Sequence, residues 1–241
     1  MDSPVILETR ALSKRFGGVI AADGINLKVH SGELRCMIGP NGAGKSTLFS
    51  MLCGIQRADS GQIFISGQEV TRMEAFRRVK LGVGLTFQNN RVFHELSVRD
   101  NLAIPQAPTS AADNEAGRQR FKYVLEAFGL DPDDETRAGE LSHNQLQWLE
   151  IAMVLAGHPD LVLLDEPTAG LATDETSKTA EVLKDLNATG LTIVVVKHDM
   201  TFVRDVAQTV TVLHQGQIFA EGSVSEITSN EQVKSIYLGK A

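Results

Sequence analysis

Short apolar runs separated by glycine or polar turns predict a chain that alternates between strands and helices. The runs predict strands at residues 5–7, 25–29, 34–38, 63–65, 83–87, 161–164 and 192–196. Helical periodicity predicts helices at residues 45–53, 118–128, 145–155 and 175–186. Residues 210–213 and 217–220, split by Gln215 and Gly216, predict a terminal hairpin. Strands that alternate with helices favour an α/β fold with a largely parallel sheet covered by helices on both faces.

The middle of the chain has a different pattern. From about residue 89 to residue 156, helical segments replace strands, and the polar stretch 105–117 is predicted to be a loop. We interpret this block as a helical subdomain inserted into a core made of residues 1–88 and 157–241. The sequence therefore predicts a single domain over residues 1–241 with two lobes.

A glycine-rich stretch follows the predicted strand at residues 34–38 and leads into a predicted helix. It reads Gly39, Pro40, Asn41, Gly42, Ala43, Gly44, Lys45, Ser46, Thr47, which fits the phosphate-binding pattern G-x-x-x-x-G-K-[ST]. Glycines let backbone N–H groups turn inward, and a helix N-terminus carries positive partial charge. We expect Lys45 to reach the β- and γ-phosphates of ATP and Ser46 to give its hydroxyl to Mg²⁺.

Two adjacent carboxylates end the predicted strand at residues 161–164. Asp165 and Glu166 lie where an α/β sheet binds its ligands, at the carboxyl end of a strand. Alternation along a strand sends neighbouring side chains to opposite faces, so we expect the two to have different tasks. Asp165 is predicted to lie in the Mg²⁺ shell, and Glu166 is predicted to polarise the attacking water.

The composition is that of an ordinary globular chain with an acidic balance. Hydrophobic residues make up 42% of the 241 residues, charged residues 22%, and the formal net charge is −7. That balance argues against nonspecific nucleic-acid binding, which needs a basic face. Cys36 and Cys53 make no disulfide framework and favour a reduced cytosolic setting. No signal-peptide pattern and no apolar run of about 20 residues is visible, so we expect any membrane role to come through a partner.

Taken in order, these motifs resemble the nucleotide-binding subunit of an ABC transporter. Residues 39–47 resemble Walker A, Gln88 the Q-loop, residues 141–145 the signature motif, residues 162–166 Walker B, residues 169–172 the D-loop and His198 the switch histidine. The resemblance covers nearly the whole chain. It implies a P-loop NTPase (ABC ATPase) core with a helical subdomain and an N-terminal antiparallel β region, and it implies ATP hydrolysis coupled to transport.

The resemblance also implies a role for several single residues. Phe16 is expected to stack on adenine, and His198 is expected to contact the γ-phosphate. Gln88 is expected to bind Mg²⁺ or the attacking water and to sense the membrane partner. In a head-to-tail pair, ATP is expected to lie between residues 39–47 of one subunit and Ser142, Asn144 and Gln145 of the other.

The partners implied are a second ATP-binding subunit, identical or different, transmembrane permease subunits and a solute-binding receptor. The expected location is peripheral, on the cytoplasmic face of the cell membrane. Within the family, the chain most resembles subunits that serve importers of branched-chain amino acids, amides and urea. That subgroup resemblance rests on residues 15–18, 86–89, 91–93 and 147–152.

Three positions depart from the family pattern. His143 and Asn144 replace the two signature glycines, Ala172 replaces the usual D-loop aspartate, and Lys197 replaces the acidic residue that often precedes the switch histidine. Asn tolerates unusual backbone angles better than most residues, so a working signature is expected. The alternatives are a nucleotide-binding regulatory module with little turnover, an export system, and an ABC-type ATPase of DNA repair or ribosomes. The sequence does not define the solute.

Overall fold

A computed structural model describes residues 3–86, 91–106 and 114–238. In these residues the strands are β1 (Val5–Phe16), β2 (Val19–His30), β3 (Leu34–Ile38), β4 (Ser60–Ile65), β5 (Gln68–Glu69), β6 (Val83–Leu85), β7 (Leu161–Asp165), β8 (Thr192–Val196), β9 (Thr209–His214) and β10 (Gln217–Gly222). The helices are α1 (Lys45–Leu52), α2 (Ala75–Val79), α3 (Val98–Ala103), α4 (Glu115–Phe128), α5 (His143–Ala156), α6 (Thr173–Ala188), α7 (Met200–Val206), α8 (Val224–Ser229) and α9 (Glu231–Leu238), with 3₁₀ turns at Ile104–Gln106 and Ala138–Glu140.

The strands form two sheets. One has the order β2-β1-β4-β5 and is antiparallel, and the other has the order β10-β9-β3-β8-β7-β6. In the second sheet β9, β3, β8, β7 and β6 run parallel, and β10 is antiparallel to β9. The predicted parallel sheet, N-terminal antiparallel region and terminal hairpin are therefore confirmed.

Three central strands, β3, β7 and β8, are buried along their whole length, as expected for a parallel sheet covered on both faces. Alternate residues of these strands enter two separate cores. In one core, one face of the three strands packs against the helices α4 to α7, and the strand residues on that face include Cys36, Ile38, Val162, Leu164, Ile193 and Val195. In the other core, the opposite face of these strands packs against α1 and the antiparallel sheet, and the strand residues on that face are Met37, Leu161, Leu163, Val194 and Val196.

The first two strands are much longer than predicted. β1 and β2 each contain 12 residues, whereas the apolar runs indicate only residues 5–7 and 25–29. Their remaining parts mix exposed and buried residues and have an interrupted register, so local hydrophobicity does not reveal them. The pairing of β1 with β2 and β4 extends both strands beyond their apolar segments.

The described part of the block between β6 and β7 contains no named strand; it consists of α3, α4, α5 and the two 3₁₀ turns, joined by turns and irregular chain. The bounds of the helical subdomain, residues 89–156, stay a prediction. In the described part of the chain, no helix is both long enough and apolar enough to cross a bilayer.

Candidate active site

The glycine-rich loop joins β3 to α1 and is held from both sides by backbone. Gly39 has a φ of 154° and Gly44 a φ of 99°, which L side chains rarely adopt. A Cβ on Gly39 would lie 2.3 Å from the carbonyl oxygen of Leu213, and one on Gly44 would lie 2.1 Å from the carbonyl oxygen of Ala21. Any larger residue would therefore push the loop off β2 or β9.

The loop ends at the N-terminus of α1, which is arranged for an anion. Within the described residues no side chain caps this end, and its first turn carries no acidic residue. Lys45 Nζ donates to the carbonyl oxygens of Gly39 (2.6 Å) and Pro40 (3.1 Å). Burial lowers the pKa of Lys45, although the charges of Glu166 and Asp165 oppose that shift. Ser46 is exposed beside it, so a lysine and a hydroxyl frame the helix end where phosphate binding is predicted.

Asp165 is buried at the last position of β7. Strand alternation places it on the same face as Leu161 and Leu163, which pack in the core that contains α1. Burial raises the pKa of Asp165 to about 6, the Glu166 charge adds to that rise, and Lys45 opposes it. The carboxylate therefore faces the phosphate-loop side of the sheet, where a cation near it would be favourable.

Glu166 lies just outside the strand, and its backbone decides its direction. Its φ is 52°, in the left-handed region, which costs a non-glycine residue about 1–3 kcal/mol unless its surroundings enforce it. The Glu166 N–H donates to the carbonyl oxygen of Val196 (3.0 Å). The prediction that Asp165 and Glu166 diverge by strand alternation alone therefore missed this turn, which aims Glu166 independently of β7.

Both carboxylate oxygens of Glu166 have a cationic or N–H partner from the end of β8. His198 Nδ1 donates to Oε1 at 2.8 Å, and Lys197 Nζ lies 3.4 Å from Oε2. The Lys197 side chain is 7% exposed and that of His198 67% exposed. Lys197 has no role in the site predicted from the sequence, although a lysine directly after an apolar strand and before His198 was a visible signal.

The signature residues lie at the N-terminus of α5. The Ser142 N–H donates to Gln145 Oε1 (2.9 Å), and the Ser142 hydroxyl donates to the same oxygen (2.7 Å) and also bonds Asn144 Oδ1. His143 Nε2 donates to the carbonyl oxygen of Ala169 (2.9 Å), in the loop after Glu166. Among the hydrogen bonds of the described residues, none joins these four to residues 39–47, so the single subunit leaves the predicted signature and phosphate loop separate.

Two aromatic residues have different surroundings. Phe16 ends β1 with its side chain half exposed, so the ring is accessible to a flat ligand, although Lys14 Nζ lies over it, 5.3 Å from the centroid. Trp148 stacks on Phe128 with centroids 5.1 Å apart and donates Nε1–H to Thr179 Oγ1 (3.0 Å). Trp148 is therefore a packing residue of the core that contains α4 and α5. Gln88 lies outside the described residues.

Residues 22–169 match the family model described as ABC transporter. The chain belongs to the ABC transporter family. It is an ATP-binding ATPase of that family, as the phosphate loop and the carboxylate pair predict.

Relatives and solved structures agree with this assignment. The chain is 34% identical to the branched-chain amino acid transport ATP-binding protein BraF of Pseudomonas aeruginosa, over 98% of both chains. It is 38% identical to the methionine import ATP-binding protein MetN of Rhizobium etli, over 92% of this chain and 62% of that protein. The ADP conformation of the ABC transporter cassette MJ1267 has a TM-score of 0.84 at 29% identity, covering 99% of this chain and all (100%) of that one. A dimeric bacterial cassette, MJ0796, has a TM-score of 0.78 at 26% identity, covering 91% of this chain and 99% of that one.

The donor set fits Mg²⁺ bound together with ATP. Within residues 3–86, 91–106 and 114–238, no group of three or more His, Cys, Asp or Glu side chains could hold a metal by itself. Mg²⁺ differs from metals that need such a cage, because it keeps waters and binds one or two carboxylates plus substrate phosphates. The buried Asp165 carboxylate and the Ser46 hydroxyl are oxygen donors of that kind.

Replacing His143 and Asn144 together by glycine is expected to change the ATPase rate less than tenfold, which is under about 1.4 kcal/mol in barrier. The reason is that Ser142 and Gln145 keep their own hydrogen bonds, while only the contacts of His143 with Ala169 and of Asn144 with Ser142 are lost. Steady-state phosphate release from the double variant and from each single variant measures the effect. A gain of a hundredfold or more would show that the natural signature is degenerate.

Proposed function

We propose that this chain is the ATP-hydrolysing subunit of an importer, lies on the cytoplasmic face of the membrane and works with transmembrane permease subunits. The observation that carries the catalytic part is the grouping of Lys45, Asp165, Glu166 and His198 around one helix end. Their order and spacing fit one ATP whose phosphates lie on the loop and whose γ-phosphate points toward Glu166 and His198.

The chemistry follows from what each side chain offers. Lys45 and the N–H groups at the start of α1 neutralise the phosphates. Ser46 and Asp165 would hold Mg²⁺, which supplies further charge neutralisation when bound, and Gln88 is proposed to join that shell. Glu166 orients the attacking water, and His198 contacts the γ-phosphate. Phe16 stacks on the adenine ring, and the remaining loop residues 39–47 enclose the phosphates.

A second subunit completes the site. Ser142, Asn144 and Gln145 end their hydrogen bonds within their own turn, away from the phosphate loop of the same chain. In a head-to-tail pair they would reach the ATP bound to the partner, in keeping with the dimeric cassette among the similar structures. The pair is either a homodimer or a heterodimer, and closing it would move the helical subdomain, residues 89–156, relative to the core.

The permease is proposed to dock in an apolar cleft of the described residues that is lined in part by Leu85, three positions before Gln88 in the sequence. The cleft lies between α2 and α5, and its lining includes Phe76, Val79, Leu85 and Met153. Phe76 is 54% exposed and Val79 is 42% exposed, although both are apolar. Contiguous exposed apolar side chains mark interaction surfaces. Because Leu85 in this cleft precedes the Q-loop residue Gln88 by three positions in the sequence, a permease segment bound in the cleft is proposed to respond to changes at the ATP site.

The solute is proposed to be a branched-chain amino acid, an amide or urea, delivered by a receptor. The support is the end-to-end similarity to BraF, since the methionine import protein MetN is slightly more identical but matches over only part of its length. A regulatory module with little turnover is the second candidate, and the observation in its favour is the bond from His143 to Ala169.

Phe76→Asp is expected to abolish co-purification of the chain with its permease from membranes while leaving its basal ATPase rate within twofold. A charge in the cleft opposes apolar docking, whereas Phe76 is not one of the proposed ATP ligands. Phe219→Asp is the matched control, because Phe219 is also an exposed aromatic (41%) but lies on β10. Equal retention of the permease by both variants would remove the cleft from the proposal.

Uptake measurements test the solute separately. Cells lacking the chain should lose uptake of labelled leucine, acetamide or urea, and the wild-type chain but not Glu166→Gln should restore it. Loss of methionine uptake alone would correct the solute and keep the importer. No change in uptake of any of these solutes would overturn the importer.

A further inference from the structure

Lys197 is a buried cation that the proposed catalytic scheme does not use. It follows β8 directly, and its backbone N–H donates to the carbonyl oxygen of Met37 (3.2 Å) on the neighbouring strand β3. The residue is 5% exposed. A buried ammonium group is costly unless it is paired, and its ion pair in the described part of the chain is with Glu166.

The geometry of that pair differs from a short hydrogen bond. Lys197 Nζ lies 3.4 Å from Glu166 Oε2, which is a charge contact across the end of two adjacent parallel strands. The backbone of Lys197 is held in the sheet through Met37, and its side chain is 7% exposed. Burial therefore restricts the positions that the ammonium group can take near the end of β7.

Glu166 needs such a fixed partner more than an ordinary strand-end residue does. Its φ of 52° persists only where surrounding contacts enforce it. His198 holds the other oxygen, but its side chain is mostly exposed and has a proposed task at the γ-phosphate. When the His198 side chain turns toward the γ-phosphate, the Glu166 carboxylate keeps its contact with Lys197.

We propose that Lys197 is a positioning residue for ATP hydrolysis, which holds the Glu166 carboxylate toward the attacking water and leaves His198 available for the γ-phosphate. This inference rests on the proposed role of Glu166. Lys197 touches neither substrate nor metal in this scheme and acts through Glu166 alone. Its removal should therefore slow the chemical step without weakening ATP binding.

The test is Lys197→Met, made in the wild type and in Glu166→Gln. Met has similar length and is compatible with a buried site, so the substitution removes the charge without opening a large cavity. In the wild type, kcat should fall 10- to 100-fold while KM for ATP stays within threefold. In the Glu166→Gln background, the residual single-turnover rate should change less than twofold, because the interaction is already gone.

Lys178→Met is the control, since Lys178 is a partly buried lysine of α6 whose Nζ lies 4.6 Å from the centroid of the Trp148 ring rather than beside the Glu166 carboxylate. It should keep the wild-type kcat. Thermal melting and binding of a fluorescent ATP analogue check that each variant is folded, and Lys197→Gln is judged by the same criteria if Lys197→Met does not fold.

Three results would overturn the inference: a kcat within twofold of wild type, an equal fall in rate in the Glu166→Gln background, or a rise in kcat, which would mean that Lys197 slows hydrolysis. Failure of the underlying catalytic scheme gives a different result, namely a wild-type rate for Glu166→Gln itself.

Discussion

Replacing Glu166 by glutamine is expected to lower the rate of ATP hydrolysis by about 10²–10⁴, the usual worth of a positioned general base, while ATP remains bound. Gln keeps the shape of the side chain and its hydrogen bond from His198, but it loses the charge that polarises water. Lys45, Ser46 and Asp165 are untouched, so binding should survive. With turnover blocked, two subunits should stay closed around ATP, and size-exclusion chromatography with MgATP should show a larger species for the variant than for the wild type.

Glu126→Gln is the control for this experiment. Glu126 is an exposed carboxylate on α4 that pairs loosely with Lys122 (3.7 Å), and its loss should change neither the rate nor the elution volume. If Glu166→Gln elutes as a larger species but hydrolyses ATP at the wild-type rate, then dimer formation does not depend on blocked hydrolysis. A wild-type rate of phosphate release from Glu166→Gln would remove Glu166 from the catalytic role.

Replacing Lys45 by alanine is expected to weaken ATP binding at least a hundredfold, or about 2.7 kcal/mol, without unfolding the chain. The variant loses a cation at the start of α1, where the phosphates are proposed to lie, and charge-assisted hydrogen bonds of this kind are worth about 1.5–3 kcal/mol each. Among the described contacts, Lys45 Nζ donates to the carbonyl oxygens of Gly39 and Pro40. It is also half-buried, and burial lowers its pKa, so its removal relieves part of a desolvation cost.

Titration with a fluorescent ATP analogue measures the affinity, and thermal melting tests the fold. Lys122→Ala removes an exposed lysine of α4 and should leave both values unchanged. An affinity of Lys45→Ala within threefold of wild type would contradict the phosphate-loop assignment. A melting temperature lowered as far as that of a core variant would show that Lys45 mainly holds the loop together.

The buried parallel strands are the part of the fold that the sequence predicts best. β3 and β8 have the predicted bounds, since each is a short, mostly apolar segment that is followed directly by glycine or by a charged residue. α1, α5 and α6 are found within a few residues of their predicted ends. Such elements depend on local periodicity, and periodicity is what a single sequence contains.

Other elements depend on partners that are distant along the chain. β1 and β2 extend beyond their apolar parts because they pair with each other and, for β1, with β4. The short helices α2 and α7 were not predicted, because five and seven residues carry too little periodicity to be recognised. The bounds of these elements depend on tertiary contacts and not on the local pattern of apolar residues.

The candidate site divides in the same way. Residue types and spacing predict the loop 39–47 and the pair Asp165 and Glu166, and the loop is found between β3 and α1 as expected. The direction of Glu166 follows from a backbone angle that residue identity does not reveal. The contact with Lys197 follows from the adjacency of β7 and β8, which are separated by a whole helix in the chain.

The way in which the phosphate loop is fixed has a consequence for sequence drift. The atoms that press on Gly39 and Gly44 are the carbonyl oxygens of Leu213 and Ala21. Every amino acid carries that carbonyl, so positions 21 and 213 can change identity without moving the loop, provided that β2 and β9 keep their pairing. The glycines cannot change in the same way. Chains with this fold can therefore differ widely in sequence around an unchanged loop. The contacts that surround the loop depend on how the strands are paired, whereas the two glycines depend on residue identity.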